Sequence, residues 1–164
     1  MSLVRPDIVE CWVFRVAPGG AVEYLLIHRA AGRIYAGLWQ CVTGRPDPGE
    51  RAPATALREV REETGLGPAE IEGFYDLDQA VAFYAEELDG IVSSVIFAVR
   101  VQADAAPRIS EEHDDLRWVD REEALRVTVW RAYRDSIEEI ERIVADADHA
   151  HWFALGPDGR RLAR

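Results

Sequence analysis

The sequence predicts a single α/β domain. Segments rich in β-branched and aromatic residues alternate with two stretches that have the apolar spacing of amphipathic helices. The chain has 164 residues, of which 48% are hydrophobic and 30% charged, and this suits one folded domain with its own core. We expect the domain to span residues 1–164, with a core from about 5 to 145 and a C-terminal tail over about 146–164.

The first half of the chain predicts a hairpin, a short strand and a helix. The three strands are expected at 8–16, 22–28 and 39–43. The first two flank the Ala-Pro-Gly-Gly turn signal at 17–20, and a loop with two glycines is expected over 29–38. Pro53 suits the first turn of the helix, and Gly65 suits the position directly after its last residue, Thr64.

The second half predicts three further strands and two helices. The strands are expected within 71–83, at 91–101 and at 116–119. Asp120 is placed to cap a short helix over 121–126. A last amphipathic helix is expected over 130–145. Its apolar stripe consists of Tyr133, Ile137, Ile140 and Val144. The Gly-Pro-Asp-Gly sequence at 156–159 indicates a turn within the tail.

The charge distribution argues against a nucleic-acid duplex as a partner. Asp and Glu number 30 against 19 basic residues, so the formal net charge is −11, whereas duplex binders need a basic surface. Residues 50–89 hold eleven acids against three arginines and carry a net charge of −8. The chain contains no lysine, which excludes a lysine Schiff base, a lysine general base and a phosphate-loop lysine.

The remaining compositional features favour a cytoplasmic protein. No apolar run approaches the roughly 20 residues of a membrane-spanning helix, and the first residues lack the basic start and apolar stretch of a secretory signal. Cys11 and Cys41 are the only cysteines, and each lies inside a strand-like segment. We expect both to be buried free thiols in a reducing compartment.

A cluster of carboxylates on the predicted first helix is the most informative feature of the sequence. Glu59, Glu62 and Glu63 follow the i, i+3, i+4 spacing that brings side chains to one helix face. The positions expected to face the core are Leu57, Val60 and Thr64. Clustered carboxylates repel each other, and a hard divalent cation such as Mg²⁺ would reverse that cost. The alternative is an acidic helix face in solvent.

The wider spacing around this cluster is more specific. Glu50 lies eight residues before Arg58, so an ion pair between them would connect the preceding loop to the helix and orient Glu59. The full segment over 44–66 reads GRPDPGERAPATALREVREETGL. Its spacing of Gly44, Glu50, Arg-Glu-Val at 58–60, Glu-Glu at 62–63 and Gly-Leu at 65–66 resembles the signature of the Nudix hydrolase family at every specified position. The order of strands and helices over about 5–145 also resembles the Nudix α/β/α sandwich with its mixed β-sheet.

This resemblance implies a metal-dependent hydrolase. Nudix enzymes hydrolyse a diphosphate linked to another moiety, usually with Mg²⁺ or Mn²⁺, by attack of water on phosphorus. By the motif, Glu59 and Glu63 are implied as direct metal ligands, and Glu62 as a further ligand or a group just outside them. Gly44 is implied to offer its backbone carbonyl to the metal. The supporting residues are implied to be Glu50 and Arg58, with Arg58 also counted among the catalytic residues.

A later acidic loop is expected to supply another carboxylate. Ser-Glu-Glu-His-Asp-Asp at 110–115 precedes a strand with Trp118, an arrangement similar to the common Nudix one. We favour Glu112 as the added metal ligand or general base, against the alternative of a solvated loop. The base is left open between a signature glutamate and this loop. His113 is a less favoured candidate, because an exposed surface histidine is the commoner case.

Loose resemblances indicate the substrate. The segments 39–44, 112–118 and 128–137 look like the dihydroneopterin triphosphate pyrophosphatase branch of the family. In that branch the positions of Arg29 and Thr43 lie at the substrate, and guanidinium groups pair bidentately with phosphate. The alternative for Arg29 is a surface charge at the end of a strand. Trp39 is a candidate for stacking on a flat ring, although a core tryptophan is the alternative. Arg5 is a candidate to replace any lysine contact to phosphate.

The leading functional hypothesis is therefore a pyrophosphohydrolase of a nucleoside triphosphate or pterin triphosphate. The alternatives are a dinucleoside polyphosphate or nucleotide-sugar hydrolase and a nucleotide-sensing Nudix domain without catalysis. The intact signature glutamates argue against a sensor. RNA-cap hydrolysis lacks support because no basic extension is visible. We expect a small-molecule nucleotide or diphosphate as partner, with no membrane, and the resemblance allows a homodimer because dimers are frequent in the family.

Overall fold

The computed structural model describes residues 4–162 as a mixed β-sheet between helical layers. Its strands are β1 (Ile8–Val16), β2 (Val22–Arg29), β3 (Trp39–Gln40), β4 (Val42–Gly44), β5 (Ile71–Ala85), β6 (Gly90–Val101) and β7 (His113–Val119). Its helices are α1 (Ala52–Thr64), α2 (Arg121–Val127), α3 (Arg131–Ala145) and α4 (Ala147–Phe153). The predicted α/β class with a mixed sheet is confirmed.

The central strand β1 organises the sheet, whose main order is β3-β2-β1-β6-β5. One edge of β1 pairs in parallel with β6. Its other edge is shared, because residues 13–16 pair with β2 and residues 9–11 pair with β4, both antiparallel. This division brings Gly44, at the end of β4, beside Val9. β4, whose last residue Gly44 begins the 44–66 segment, therefore lies beside the central strand of the sheet.

The alternation of side chains along β1 separates two hydrophobic cores. Val9, Cys11 and Val13 face the core that contains Val60 of α1, whereas Trp12 and Phe14 belong to the core on the α3 side. Successive residues of a strand point to opposite faces of a sheet, so the apolar run of β1 is buried on both faces. Cys11 and Cys41 are both free and buried, as expected.

The predicted helix boundaries follow local capping chemistry. Gly65 ends α1 in the left-handed conformation, with φ 72°, and its N–H donates to the carbonyl of Arg61. Asp120 caps α2 by accepting from the backbone N–H of Glu123 at 2.9 Å. The described residues contain no helix long and apolar enough to cross a membrane.

The strand boundaries differ from prediction where tertiary pairing extends or divides a strand. The strand expected over 39–43 is divided at Cys41, because β3 pairs with β2 and β4 pairs with β1. The segment expected within 71–83 is one long strand with an irregularity between Asp76 and Gln79. β7 begins at His113 instead of 116, because it pairs with β2 as far as His113, which lies opposite Arg29.

Two expectations about the C-terminal region need correction. In α3, Tyr133, Ile137 and Ile140 are buried as predicted, but Ile143 is the fourth buried apolar residue and Val144 is only partly buried. A helix has 3.6 residues per turn, so 143 and 144 fall on either side of the stripe. The tail also forms α4, whose N-terminus is capped by Asp146. Beyond it, the Leu155 N–H donates to the Phe74 carbonyl at 2.8 Å.

Candidate functional site

The carboxylates of α1 have three different environments, although they lie within one turn. Glu63 is buried with 7% of its surface exposed, Glu59 is partly buried, and Glu62 is exposed. The three glutamates have the spacing of one helix face, as expected, but their side chains differ in solvent exposure. α1 packs against β4, and Glu63 lies beside Thr43 of that strand, whereas Glu62 is on the solvent side of the helix.

Gly44 provides the space in which Glu59 lies. A Cβ added to Gly44 would overlap the Cδ, Cγ and Oε1 atoms of Glu59. Any other amino acid at this position would displace that carboxylate. The glycine predicted from the signature is therefore required by a close approach between β4 and α1.

Glu63 is held against the residue before that glycine. The backbone of Thr43 lies beside its carboxylate and favours its ionised form, whereas its Oε2 atom is buried without a hydrogen-bond partner. Burial, with the neighbouring charge of Glu59 as a smaller cause, raises the pKa of Glu63 to about 8. Burial also raises the pKa of Glu59, although Arg58 opposes that shift. Two carboxyl groups thus lie beside two consecutive residues of β4.

Arg58 connects the loop before α1 to these carboxylates, and the predicted ion pair with Glu50 is present. Its Nε and Nη2 donate to the two Glu50 oxygens, each at 3.0 Å. The Nη1 atom donates to Glu59 at 2.8 Å and to Glu62 at 2.9 Å, while Nη2 also reaches the Arg45 carbonyl at 3.0 Å. The bond from Arg58 lowers the pKa of Glu50 to about 2.

These residues suit a hard divalent cation. An unpartnered buried carboxylate oxygen is costly, and a cation would satisfy it while removing the repulsion between Glu59 and Glu63. Residues 4–162 contain no ready-made cluster of three His, Cys, Asp or Glu side chains with metal-ligand geometry. Arg58 already occupies oxygens of both Glu59 and Glu62. Cation binding by all three would therefore require these ion pairs to rearrange.

The later acidic loop approaches the same place. Glu112 is exposed and lies 3.6 Å from Arg33, yet its charge contributes to the raised pKa of Glu63. His113 is buried in β7, where its Nδ1 contacts the Ser110 hydroxyl at 3.2 Å and its Nε2 has no hydrogen-bond partner. Burial lowers the pKa of His113. The exposed histidine that its loop sequence suggests is therefore not observed.

A cavity of about 430 Å³, the ring cavity, opens beside Gly44 on the α3 side of the sheet. Its wall includes Thr43, Gly44 and Arg45. Tyr35 and Trp130 also line it and are partly exposed, with their rings in edge contact at a centroid distance of 5.8 Å. A mostly apolar cavity with aromatic walls and few polar groups is typical of a site for a flat small molecule.

Three arginines of this cavity lack a carboxylate partner. Arg29, Arg45 and Arg131 line it, and none of them forms an ion pair within the described part of the chain. The Arg29 Nε donates only to the Ile34 carbonyl at 2.8 Å. In a chain with 30 acidic residues, three unpaired guanidinium groups around one cavity indicate an anionic ligand with several charges.

The other two residues expected at the substrate lie elsewhere. Trp39 is not in the wall of the ring cavity, since its ring packs between the Arg117 guanidinium, 4.1 Å from its centroid, and His28 at 4.8 Å. Arg5 lines a second cavity of about 760 Å³. This second cavity shares Arg45 and Leu88 with the ring cavity.

Sequence reasoning missed the polar floor and the aromatic mouth of the ring cavity. Glu10 and Gln40 are buried in its wall. One signal was available, because Glu10 interrupts an otherwise apolar strand sequence, Ile-Val-Glu-Cys-Trp-Val-Phe. Tyr35 and Trp130 gave no such signal, since they lie in a loop and at a helix start that meet only in the folded chain.

Comparisons with known proteins agree with this geometry. The family model described as NUDIX domain matches residues 7–140. The chain is similar to an octanoyltransferase of Myxococcus xanthus, with 36% identity over 122 residues that cover 73% of this chain and 32% of that protein. It therefore spans about a third of that relative's length.

Two further proteins resemble the chain over most of their own length. The bis(5'-nucleosyl)-tetraphosphatase of Mus musculus is 28% identical over 118 residues, covering 72% of this chain and 78% of that protein. The solved structure of the Escherichia coli dihydroneopterin triphosphate pyrophosphohydrolase superposes with a TM-score of 0.65 at 24% identity, covering 80% of this chain and 92% of that one. This second likeness shows the shared fold.

Proposed function

Because the chain belongs to the Nudix hydrolase family, we propose that it cleaves the diphosphate linkage of a nucleoside triphosphate or pterin triphosphate with Mg²⁺ or Mn²⁺. The observation that carries the proposal is the position of β4. Thr43 and Gly44 contact Glu63 and Glu59 on one side and form the wall of an arginine-lined cavity on the other. A ligand in the cavity would thus have its phosphates beside the carboxylates.

The residues divide into three roles under this proposal. Glu59 and Glu63 would hold the metal with the Gly44 carbonyl, and Glu62 and Glu112 are further candidates. Arg29, Arg45 and Arg131 would neutralise the phosphates, with Thr43 beside them. The bound metal would supply charge neutralisation at the phosphate oxygens and lower the pKa of a bound water. Glu50 would hold Arg58, which in turn aligns the carboxylates of α1.

The reaction is a transfer of a phosphoryl or nucleotidyl group to water. A water oxygen forms a new bond to phosphorus, and the bond from that phosphorus to the bridging oxygen breaks. The bridging oxygen leaves with the departing phosphate group, and the proton of the water passes to a carboxylate of the site. Glu59 and Glu112 are the candidates for that base. The half-exposed Glu112 is accessible to solvent, whereas Glu59 is held by Arg58.

A dinucleoside polyphosphate is the second candidate substrate. The second cavity adjoins the ring cavity through shared residues and includes Arg5, Arg45 and Arg51. Arg5 has no ion pair within residues 4–162, so it is available to an additional phosphate. Two adjoining cavities have room for a substrate with a group at each end of its phosphate chain. The similarity to a bis(5'-nucleosyl)-tetraphosphatase supports this alternative.

Product analysis tests the proposal and separates the candidates. The purified chain is incubated with Mg²⁺ or Mn²⁺ and nucleoside triphosphates, dihydroneopterin triphosphate or diadenosine tetraphosphate, and products are identified by mass. We expect pyrophosphate and a monophosphate from the triphosphates. Two unequal mononucleotides from the tetraphosphate at higher kcat/KM would favour the second candidate. Chelation with EDTA should abolish turnover, and inactivity on every compound would favour a sensing domain.

A further inference from the structure

Glu10 is an acidic side chain buried in the wall of the ring cavity. Only 8% of its surface is exposed. It lies on β1, in register with Thr43 of β4 and Ile96 of β6. Buried carboxylates are normally paired with a cation because their desolvation is costly. Glu10 forms no ion pair in the described part of the chain.

The partners of Glu10 are neutral hydrogen-bond donors. The Ser94 hydroxyl donates to its Oε1 at 2.6 Å, and the Cys41 thiol lies 3.9 Å from its Oε2. Burial raises the pKa of Glu10, and hydrogen bonds from Ser94 and Tyr133 only partly oppose that shift. An ionised carboxylate has about four acceptor positions. The Ser94 hydroxyl and the Cys41 thiol occupy one position on each oxygen, so each oxygen can accept a further hydrogen bond. A buried acceptor in the wall of a mostly apolar cavity is suited to recognition of a ligand.

The position of Glu10 relative to Gly44 defines what it would contact. Glu10 is the register partner of Thr43, and Glu10, Thr43 and Gly44 all line the ring cavity, whereas the α1 carboxylates are not among its lining residues. A ligand whose phosphates reach those carboxylates past Gly44 would extend its ring into the cavity, where Glu10 lies. The aromatic rings of Tyr35 and Trp130 at the mouth provide faces for that ring to contact.

The chemistry of a carboxylate selects among ring edges. Its two oxygens accept two parallel N–H donors. A 2-amino-4-oxo pyrimidine edge presents a ring N–H beside an amino group, and guanine and pterins share this edge. Adenine and cytosine present one donor beside a ring nitrogen acceptor, which would face a carboxylate oxygen unfavourably. Uracil presents its single N–H between two carbonyl oxygens.

We propose that Glu10 is a specificity residue that accepts two hydrogen bonds from the ring N–H and amino group of a 2-amino-4-oxo heterocycle, either guanine or a pterin. This inference rests on the proposed function, because it names the ring class of the same substrate. Gln40, which is buried and donates to the Thr43 hydroxyl at 3.2 Å, lines the same cavity and would lie beside the ring of the ligand.

Steady-state kinetics with matched rings test the assignment. We expect wild-type kcat/KM for GTP to exceed the values for ATP and for inosine triphosphate, which lacks the amino group, by about ten- to hundredfold. In Glu10→Gln the amide offers a donor where the ring N–H needs an acceptor, so this preference should fall to within a few-fold, mainly through KM. Glu86→Gln, at an exposed residue outside the cavity, is the control and should keep the wild-type preference.

The substrate arms distinguish the two ring sources. Higher kcat/KM for dihydroneopterin triphosphate than for GTP, with both reduced in Glu10→Gln, would identify a pterin, and the reverse order would identify guanine. Equal wild-type use of GTP, ATP and inosine triphosphate would overturn the proposal, as would an unchanged preference in folded Glu10→Gln.

Two further measurements keep the test decisive. If Glu10→Gln does not fold, inhibition of the wild type by guanosine, inosine and adenosine replaces it, and equal inhibition constants would overturn the proposal. If no triphosphate is hydrolysed, the proposed function is wrong, but the role of Glu10 in binding can still be tested. Calorimetric binding of GTP and inosine triphosphate by wild type and Glu10→Gln then tests the role of Glu10 alone, and equal affinities would overturn it.

Discussion

Gly44 and Glu59 are so close that the missing side chain of one is the space occupied by the carboxylate of the other. The contact joins the central sheet to α1 at the point where the ring cavity begins. Because of this contact, a substitution at Gly44 can change activity without unfolding the protein. The Glu59 side chain is flexible and can rotate away from an added methyl group, but it would then leave the position that the site requires.

Gly44→Ala should therefore lower activity much more than stability. We expect kcat/KM to fall by about 100-fold, since a displacement near 1 Å of a catalytic group has that scale of effect. The melting temperature should change little, because the three atoms nearest to the added Cβ all belong to the Glu59 side chain. Gly67→Ala is the control, since its nearest neighbour to an added Cβ is 3.8 Å away. Wild-type kinetics in Gly44→Ala would contradict the assignment of Glu59.

The buried carboxyl group of Glu63 predicts a pH dependence of stability in the metal-free protein. Its pKa of about 8 in the folded chain lies above the ordinary value of 4.5. Between these pH values the unfolded chain releases a proton that the folded chain retains, so stability falls as pH rises through this window. Each pKa unit corresponds to roughly 1.4 kcal/mol. Above pH 8 the loss should be complete.

This dependence is measured by urea unfolding in EDTA at a series of pH values. The difference in unfolding free energy between wild type and Glu63→Gln should change between pH 5 and 8 and then level off. Added Mg²⁺ should reduce the change, because a cation favours the ionised carboxylate. The same variant should lose most of its hydrolytic activity with the fold retained. A difference that is independent of pH would mean that Glu63 is ionised in the folded protein.

Arg58→Lys should weaken both the loop and the site. A lysine cannot reproduce the bidentate contact with Glu50 together with the bonds to Glu59 and Glu62. We expect the unfolding free energy to fall by about 1–2 kcal/mol, allowing for partial exposure of the pairs, and kcat/KM to fall by about tenfold or more. Arg61→Lys, an exposed residue of the same helix, should leave both quantities unchanged. Equal effects in the two variants would reject the positioning role.

Glu112→Gln tests the acidic loop before β7. If Glu112 binds the metal or accepts the proton of the water, kcat should fall by about 100-fold, while the melting temperature stays constant because the side chain is half exposed. Glu111→Gln is the matched control in the same loop. A kcat equal to that of wild type would identify Glu112 as a solvated residue and leave the base among the glutamates of α1.

Local chemistry explains why much of the fold was predictable. Gly65 and Asp120 act within one helical turn, so the ends of α1 and the start of α2 follow from neighbouring residues alone. The extension of β7 to His113 required the partner strand β2, because its acidic sequence has no strand periodicity of its own. The helix α4 was likewise not expected from a segment rich in Ala, Asp and His.

For the site, the spacing over 44–66 by itself determined the family and the ion pair of Glu50 with Arg58, because both depend on separations within one loop and one helix. Only the tertiary structure decided which carboxylate is buried, since the difference between Glu62 and Glu63 depends on how α1 packs against β4. It also decided the ring cavity. Glu10, Tyr35 and Trp130 are far apart along the chain, and only folding of the sheet against α3 brings them together around one space.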